Sequence, residues 1–218
     1  MSTVQEVIID KKLVGTKEEI ADRMISNKKV RNAVFRVLEG DDRAQRVLAA
    51  KSIHVVADQQ PEVLKDRAED LADALNRPEA QTRWEILGAL EKMVPVDARV
   101  VDKALTPTQI ALHDADSGVV RLAAFRLLAT YGATTERRSE KVWPLLNEGI
   151  RVFHGDQEFP QMLSGVIRLI SGNCSDKVRE EAADTMAFDA EHSKGLLGRR
   201  AKRIVSCRPK KRRRKKTS

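Results

Sequence analysis

Three stretches of this chain fall into common columns: QRVLAAKSI, TRWEILGAL and VRLAAFRLL. Arg46, Arg83 and Arg121 share one column, at spacings of 37 and 38 residues. Ala50, Leu87 and Phe125 share a second, and Ile53, Leu90 and Leu128 a third. A fourth copy, QMLSGVIRLI, puts Met162 in the arginine column 41 residues further on. Within each copy the columns lie four and then three residues apart, which places them on one face of a helix. One amphipathic helix has nothing of its own to bury that face against. A period near 40 residues therefore constrains the fold more than any other feature, because the copies must stack on one another.

Other helical patterns separate the copies: PEVLKDRAEDLADAL, ARVVDKALTPTQIALHD and SEKVWPLLNEGIRVF. Upstream, TKEEIADRMIS opens on Thr16 and Glu19 at capping-box spacing. In KKVRNAVFRVLEG, Val30, Val34, Val37 and Leu38 share a face, and Gly40 stands where a helix ends. Pro61 and Pro78 suit first-turn positions. Pro107 is expected to break its helix, with Thr106 and Gln109 capping the next one, and Pro144 to lie in a first turn or make a kink. A last unit, SDKVREEAADTMAFDAEH, carries a further Val-Arg at Val178 and Arg179.

The segments Asp116 to Ala123 (DSGVVRLA), Asp176 to Ala182 (DKVREEA) and Asp42 to Ala49 (DRAQRVLA) resemble HEAT and armadillo-like repeats. The resemblance spans roughly residues 28–190. It implies an all-α fold of about ten or eleven helices, a right-handed α-solenoid of HEAT-like pairs with a disordered basic C-terminal tail. The expected division is an N-terminal extension at 1–15, the repeat domain at 16–198 and the tail at 199–218. In such repeats an arginine early in the second helix pairs with an aspartate near the preceding turn, forming a ladder. Asp42, Asp116 and Asp176 are placed for that. The alternative makes Arg46, Arg83 and Arg121 inner-face contacts in a phosphate-binding row, although a nearby carboxylate cancels an arginine's field. Lys51, Lys92, Arg126 and Arg168 fall on differing faces and make no continuous stripe.

Charge divides the chain. The net charge is +8, yet residues 199–218 hold twelve Lys or Arg and no acid. The rest carries 28 basic and 32 acidic side chains, a net of −4. This is an acidic body with a basic end, not a basic saddle. Hydrophobic residues make up 41% and aromatics 4%, a palette that favours helix over strand.

The sequence offers little chemistry. His54, His113, His154 and His192 lie far apart, with no His-x-x-x-His or Cys-x-x-Cys pair to hold zinc. Asp114 and Asp116 beside His113 read as a helix end. Cys174 and Cys207 fit a reducing compartment and have no neighbouring histidine to activate a thiol. No glycine-rich phosphate loop is present. No catalytic residues, metal or cofactor are therefore expected. One enzyme comparison stands beside this: alkylpurine DNA glycosylases of helical-repeat build grip DNA with aromatic residues beside a catalytic aspartate. Trp84 and Trp143 lack that pairing and read as packing residues. The opening MSTVQEVIIDKKLVG is too charged for a signal peptide, and no apolar run reaches membrane-spanning length.

The end remains. In GLLGRRAKRIVS, Leu196, Leu197, Ala201, Ile204 and Val205 suit a short helix packing back on the last repeat. Beyond it, Arg208, Lys210, Lys211, Arg212, Arg213, Arg214, Lys215 and Lys216 supply eight cations in nine residues. They suit RNA or DNA phosphates, read without sequence preference because no aromatic is interleaved. The run is also similar to a single-cluster nuclear localisation signal. The expectation is a non-enzymatic scaffold that binds a protein partner on its concave face and a nucleic-acid backbone through its tail. It would be intracellular: cytoplasmic, or nuclear in a eukaryote.

Overall fold

The computed structural model describes residues 7–9 and 12–209. The polybasic run from Lys210 lies outside the described residues. Among those described are twelve α-helices, one 3-10 segment and one pair of two-residue strands. Two compact units are present, residues 1–131 and 132–218.

Polar side chains start the helices where the sequence places them. Thr16 and Glu19 form the reciprocal capping box of α1 (Lys17–Ser26). Asn27 caps α2 (Lys28–Glu39), and Asp42 caps α3 (Arg43–Gln59) through the amides of Ala44 and Gln45. Gly40 ends α2. Ahead of α1, β1 (Ile8–Ile9) and β2 (Lys12–Leu13) pair antiparallel, and the Gln45 side chain holds the Leu13 backbone on α3.

Within the first unit the helices form two layers. One holds α1, α3 and α5 (Ala80–Met93), with α3 packed along α5. The other holds α2, α4 (Ala68–Ala74, after the 3-10 segment Pro61–Arg67) and α6 (Val100–Leu112). The helix α7 (Gly118–Gly132) reaches α5 through the Thr130 hydroxyl and the Arg126 guanidinium, both on Glu91. The apolar columns are the core: Ala50, Leu87, Phe125, Ile53, Leu90 and Leu128 are all fully buried. Each withdraws its apolar surface from water only because the next copy covers it.

In the second unit, α8 (Glu136–Val152) packs on α10 (Asp176–Thr185), and α9 (Phe159–Ser171) packs on α12 (Gly195–Ser206). The short α11 (Ala187–His192) bridges α10 and α12. Val178 and Arg179 therefore lie on the first helix of the last pair. Its second helix, the counterpart of α9, is α12. Met162, in the arginine column of the fourth copy, is fully buried.

Pro107 breaks no helix, and Pro144 lies beyond the first turn of its own. Pro107 lies inside α6 and Pro144 inside α8, with both helices continuous. Ala104, Thr108, Ala111 and Leu112 are buried around Pro107, so packing on both sides of the ring outweighs one missing hydrogen bond. Pro61 does open its segment, but Pro78 precedes the Glu79 cap instead of entering α5.

Polar contacts repeat the same period. Lys92 on α5 reaches Asp58 on α3 at 2.5 Å, and Lys103 on α6 reaches Glu69 on α4. In the second unit, the Trp143 indole of α8 donates to Glu181 of α10 at 2.7 Å, and Thr185 donates to Asn147 at 3.1 Å. Each joins residues 34 to 38 apart in sequence, one repeat to the next.

Helix α12 docks closely because Gly198 has no side chain: a Cβ there would collide with the Ser193 carbonyl. Gly155 has open space around it. Gly198→Ala is expected to destabilise the protein by about 1–3 kcal/mol in urea denaturation, the usual cost of overpacking against backbone. Gly155→Ala is expected to cost less than about 0.5 kcal/mol.

Candidate functional site

The arginine column comes first, as the feature with most charge in register. Arg46 is buried, with 7% of its surface exposed. Its guanidinium forks onto the Glu79 carboxylate, with Nε to Oε2 at 3.1 Å, and donates to the Gly40 carbonyl at 2.8 Å. Glu79 is the residue that precedes α5. Arg83 repeats the arrangement one helix on, pairing at 2.5 Å with Asp114 in the turn before α7. The Asp114 carboxylate also accepts the amides of Asp116 and Ser117, and its carbonyl accepts from Arg121 at 2.8 Å. So Arg46 and Arg83 each bond the start of the next helix in the α3–α5–α7 series. Several arginines also satisfy orphan carbonyls at the end of the preceding helix: Arg31 on Met24, Arg46 on Gly40 and Arg179 on Gly172.

The ladder acids differ from those the sequence suggested. Asp42 caps α3, Asp116 is exposed, and Asp176 pairs with Arg179 of its own helix. The partners are Glu79 and Asp114. They sit four and seven residues before the next arginine of the column, so they make no column of their own. Their legible signal is an acid at the start of the following copy.

The outward face of the same layer is built differently. Val47, Trp84 and Leu122 stand in register on α3, α5 and α7, all half-buried. They form an apolar row that the layer does not close over. Three matched pairs of charge lie beside it. His54 Nδ1 meets Glu85 at 2.6 Å, Lys92 meets Asp58, and Arg126 meets Glu91 at 3.5 Å. The His54 ring lies so close to Gly88 that a Cβ there would overlap it. Burial pushes the Glu85 carboxyl up. Hydrogen bonds from His54 and Trp84, with the charges of His54 and Lys17, outweigh it and hold the group below its ordinary value.

The remaining polar candidates are structural in geometry. Asp189 is buried and accepts from both His154, at 3.0 Å, and the Ser193 hydroxyl, at 2.8 Å. Both donors converge on the carboxylate, so this cluster ties the end of α8 to the end of α11 and lacks the order of a nucleophile–base–acid relay. His154 also lies against the Phe159 ring. His192 stacks on the exposed Phe188, and His113 is exposed. Cys174 is buried, which pushes its thiol up, and both cysteines are free. Trp143 is buried. Among the described residues no group of three or more His, Cys, Asp or Glu converges as a metal site. No described helix is long and apolar enough to cross a membrane.

At the basic end, Arg208 is exposed and pairs with Asp184 of α10 at 2.5 Å. Residues 199–206, assigned to the tail in the sequence, form the larger part of α12. Lys210, Lys211, Arg212, Arg213, Arg214, Lys215 and Lys216 lie outside the described residues.

The arginine ladder makes a pH prediction. The hydrogen bond from Arg46 holds the Glu79 carboxyl below its ordinary value. A depressed carboxyl stabilises the fold above its unfolded pKa of about 4.3, and that stability is lost as pH falls through the folded value. Glu79→Gln is expected to cost about 3–5 kcal/mol at neutral pH, because it leaves a buried guanidinium uncompensated. Urea titrations below pH ~4.3 should then show a shallower acid loss in the variant than in the wild type.

No family model and no curated protein matches the sequence. Solved structures do match. A designed armadillo repeat protein in complex with a (KR)4 peptide superimposes with a TM-score of 0.72 at 13% identity, over 88% of this chain and 90% of that one. An engineered protein, target OR366, gives 0.71 at 16% identity, over 95% and 98%. Computationally designed armadillo repeat proteins for modular peptide recognition give 0.66 at 14%, over 88% and 92%. At such identities the likeness carries the fold alone: with the stacked pairs and the inter-repeat ladder, it is an armadillo/HEAT-like helical-repeat fold.

Proposed function

We propose that this chain is a non-enzymatic repeat scaffold. It holds a segment of a protein partner across the α3–α5–α7 face, and its basic end attaches the assembly to an RNA or DNA backbone. The observation that carries the first half is the in-register row Val47, Trp84 and Leu122, half-exposed between paired charges. A tryptophan at the centre of such a row is the commonest kind of binding anchor. Two structural neighbours, one in complex with a peptide and one designed for modular peptide recognition, support the same use of the fold. Matched charges beside Trp84 favour a polypeptide over a phosphate backbone on this face, and so favour the scaffold over a glycosylase groove.

The second half rests on charge. The body is acidic, and the residues from Arg208 bring eight cations without one acid. Such a run gains affinity by releasing counterions, so binding should fall steeply with salt, by about 0.7–0.9 in the logarithmic slope per phosphate contact.

Two measurements separate the halves. Peptides selected by display against the full chain should bind Trp84→Ala about tenfold or more weakly. The same peptides should bind a chain lacking residues 208–218 unchanged. That deletion should remove several units of salt slope from oligonucleotide binding and leave the thermal melt of the body in place. Salt-dependent binding that survives the deletion intact would sink the tether.

A further inference from the structure

We propose that the nucleic-acid-binding element begins inside the fold, on α12, where Arg199, Lys202 and Arg203 form a preorganised platform for successive phosphates of one strand. This rests on the tether reading and extends it to a folded surface.

Helix α12 carries Arg199, Arg200, Lys202 and Arg203 and no acid. Gly198, Ala201 and Ile204 are buried against the helices beneath it. Helical geometry then turns residues 199, 202 and 203 outward, and all three are exposed. Arg200 is the exception. It lies half-buried and donates to the Pro160 carbonyl and the Gln161 side chain of α9, so it is a packing residue.

The three outward cations have no carboxylate partner among the described residues. Three exposed cations elsewhere are matched: Lys92 by Asp58, Lys103 by Glu69 and Arg208 by Asp184. Of the acids on α10 and α11, the helices beside α12, Glu180 and Glu191 are exposed and the others are engaged. Glu181 holds Trp143, Asp184 holds Arg208, and Asp189 holds His154 and Ser193. An unmatched cluster of one sign thus occupies this helix. It is continuous in the chain with the eight cations beyond it.

The chemistry of the partner is set by the groups the helix lacks. Residues 199 and 203 stand about one turn, ~5.4 Å, apart along the axis, so two long side chains can meet neighbouring phosphates of one strand. No aromatic lies on α12 to stack a base, so the surface reads backbone charge. A helix that binds an anionic bilayer buries its apolar face among lipid chains. Here that face is already covered by protein, with Leu196 the exposed apolar side chain at its start. A polyanion that needs no apolar insertion fits, and a membrane surface does not.

The test uses the full chain and a fluorescein-labelled single-stranded oligonucleotide of mixed sequence, as RNA and as DNA, across a potassium chloride series. The variant R199Q/K202Q/R203Q should lower the slope of log K against log salt by about 2–3, at 0.7–0.9 per lost contact, with an unchanged melting temperature. Arg200→Gln should lower the melting temperature and keep the slope. A triple variant with the wild-type slope, while the wild type binds, overturns this inference and leaves the tether to the residues after α12. A wild-type chain without salt-dependent binding overturns the tether reading itself. Stronger binding of the wild type to phosphatidylserine vesicles than to either oligonucleotide, lost in the triple variant, would assign α12 to a membrane surface and overturn it too.

Discussion

The buried meeting of Arg46 with Glu79 is the contact on which the repeat order of the first unit depends. A guanidinium desolvated to this degree is tolerated only because a carboxylate and a backbone carbonyl take its donors. The carboxylate stands at the start of the next helix of the same layer, so the pair fixes where α5 begins relative to α3. Arg83 and Asp114 fix α7 relative to α5 in the same way. Hydrophobic columns alone would allow neighbouring helices to slide by a turn, since apolar contact has no direction. The ion pairs remove that freedom. Arg46 also satisfies the open end of the preceding helix, which a short turn would otherwise leave exposed.

Because the arginine column is engaged within the layer, the partner face proposed above is the other one. It shows an apolar row with Trp84 at its centre, edged by charges that are already matched. Three exposed cations without a carboxylate partner share one helix of the second unit, α12, which carries no acid. Acidic body and basic end are therefore not a gradient. On the proposed function they are two surfaces with different chemistry, one for a polypeptide and one for a polyanion.

Much of this is legible in the residues themselves. The three-column alignment names the core correctly, because burial by stacking demands the same apolar faces in every copy. Thr16 with Glu19 and Asp42 mark helix starts, since caps are local. The features that stay hidden are set by tertiary contacts. Glu79 and Asp114 lie at different offsets from their columns, so no fixed spacing singles them out among the acids at the start of each copy. Pro107 and Pro144 break no helix, and around Pro107 the burial of flanking residues outweighs one lost hydrogen bond. The last pair is misleading in sequence because Val178 and Arg179 imitate the column. The true counterpart of α9 is α12, whose cations look like the start of a tail.

Central to the proposed function is the recruitment of two separate kinds of partner by two separate surfaces. Affinity purification of the tagged full chain from its native cells, with and without nuclease, tests this most directly. Two sets are expected: proteins retained equally after nuclease treatment, and nucleic acid with its attendant proteins, lost on treatment. A purification in which every partner disappears with nuclease would contradict it, because the repeat face would then recruit nothing of its own.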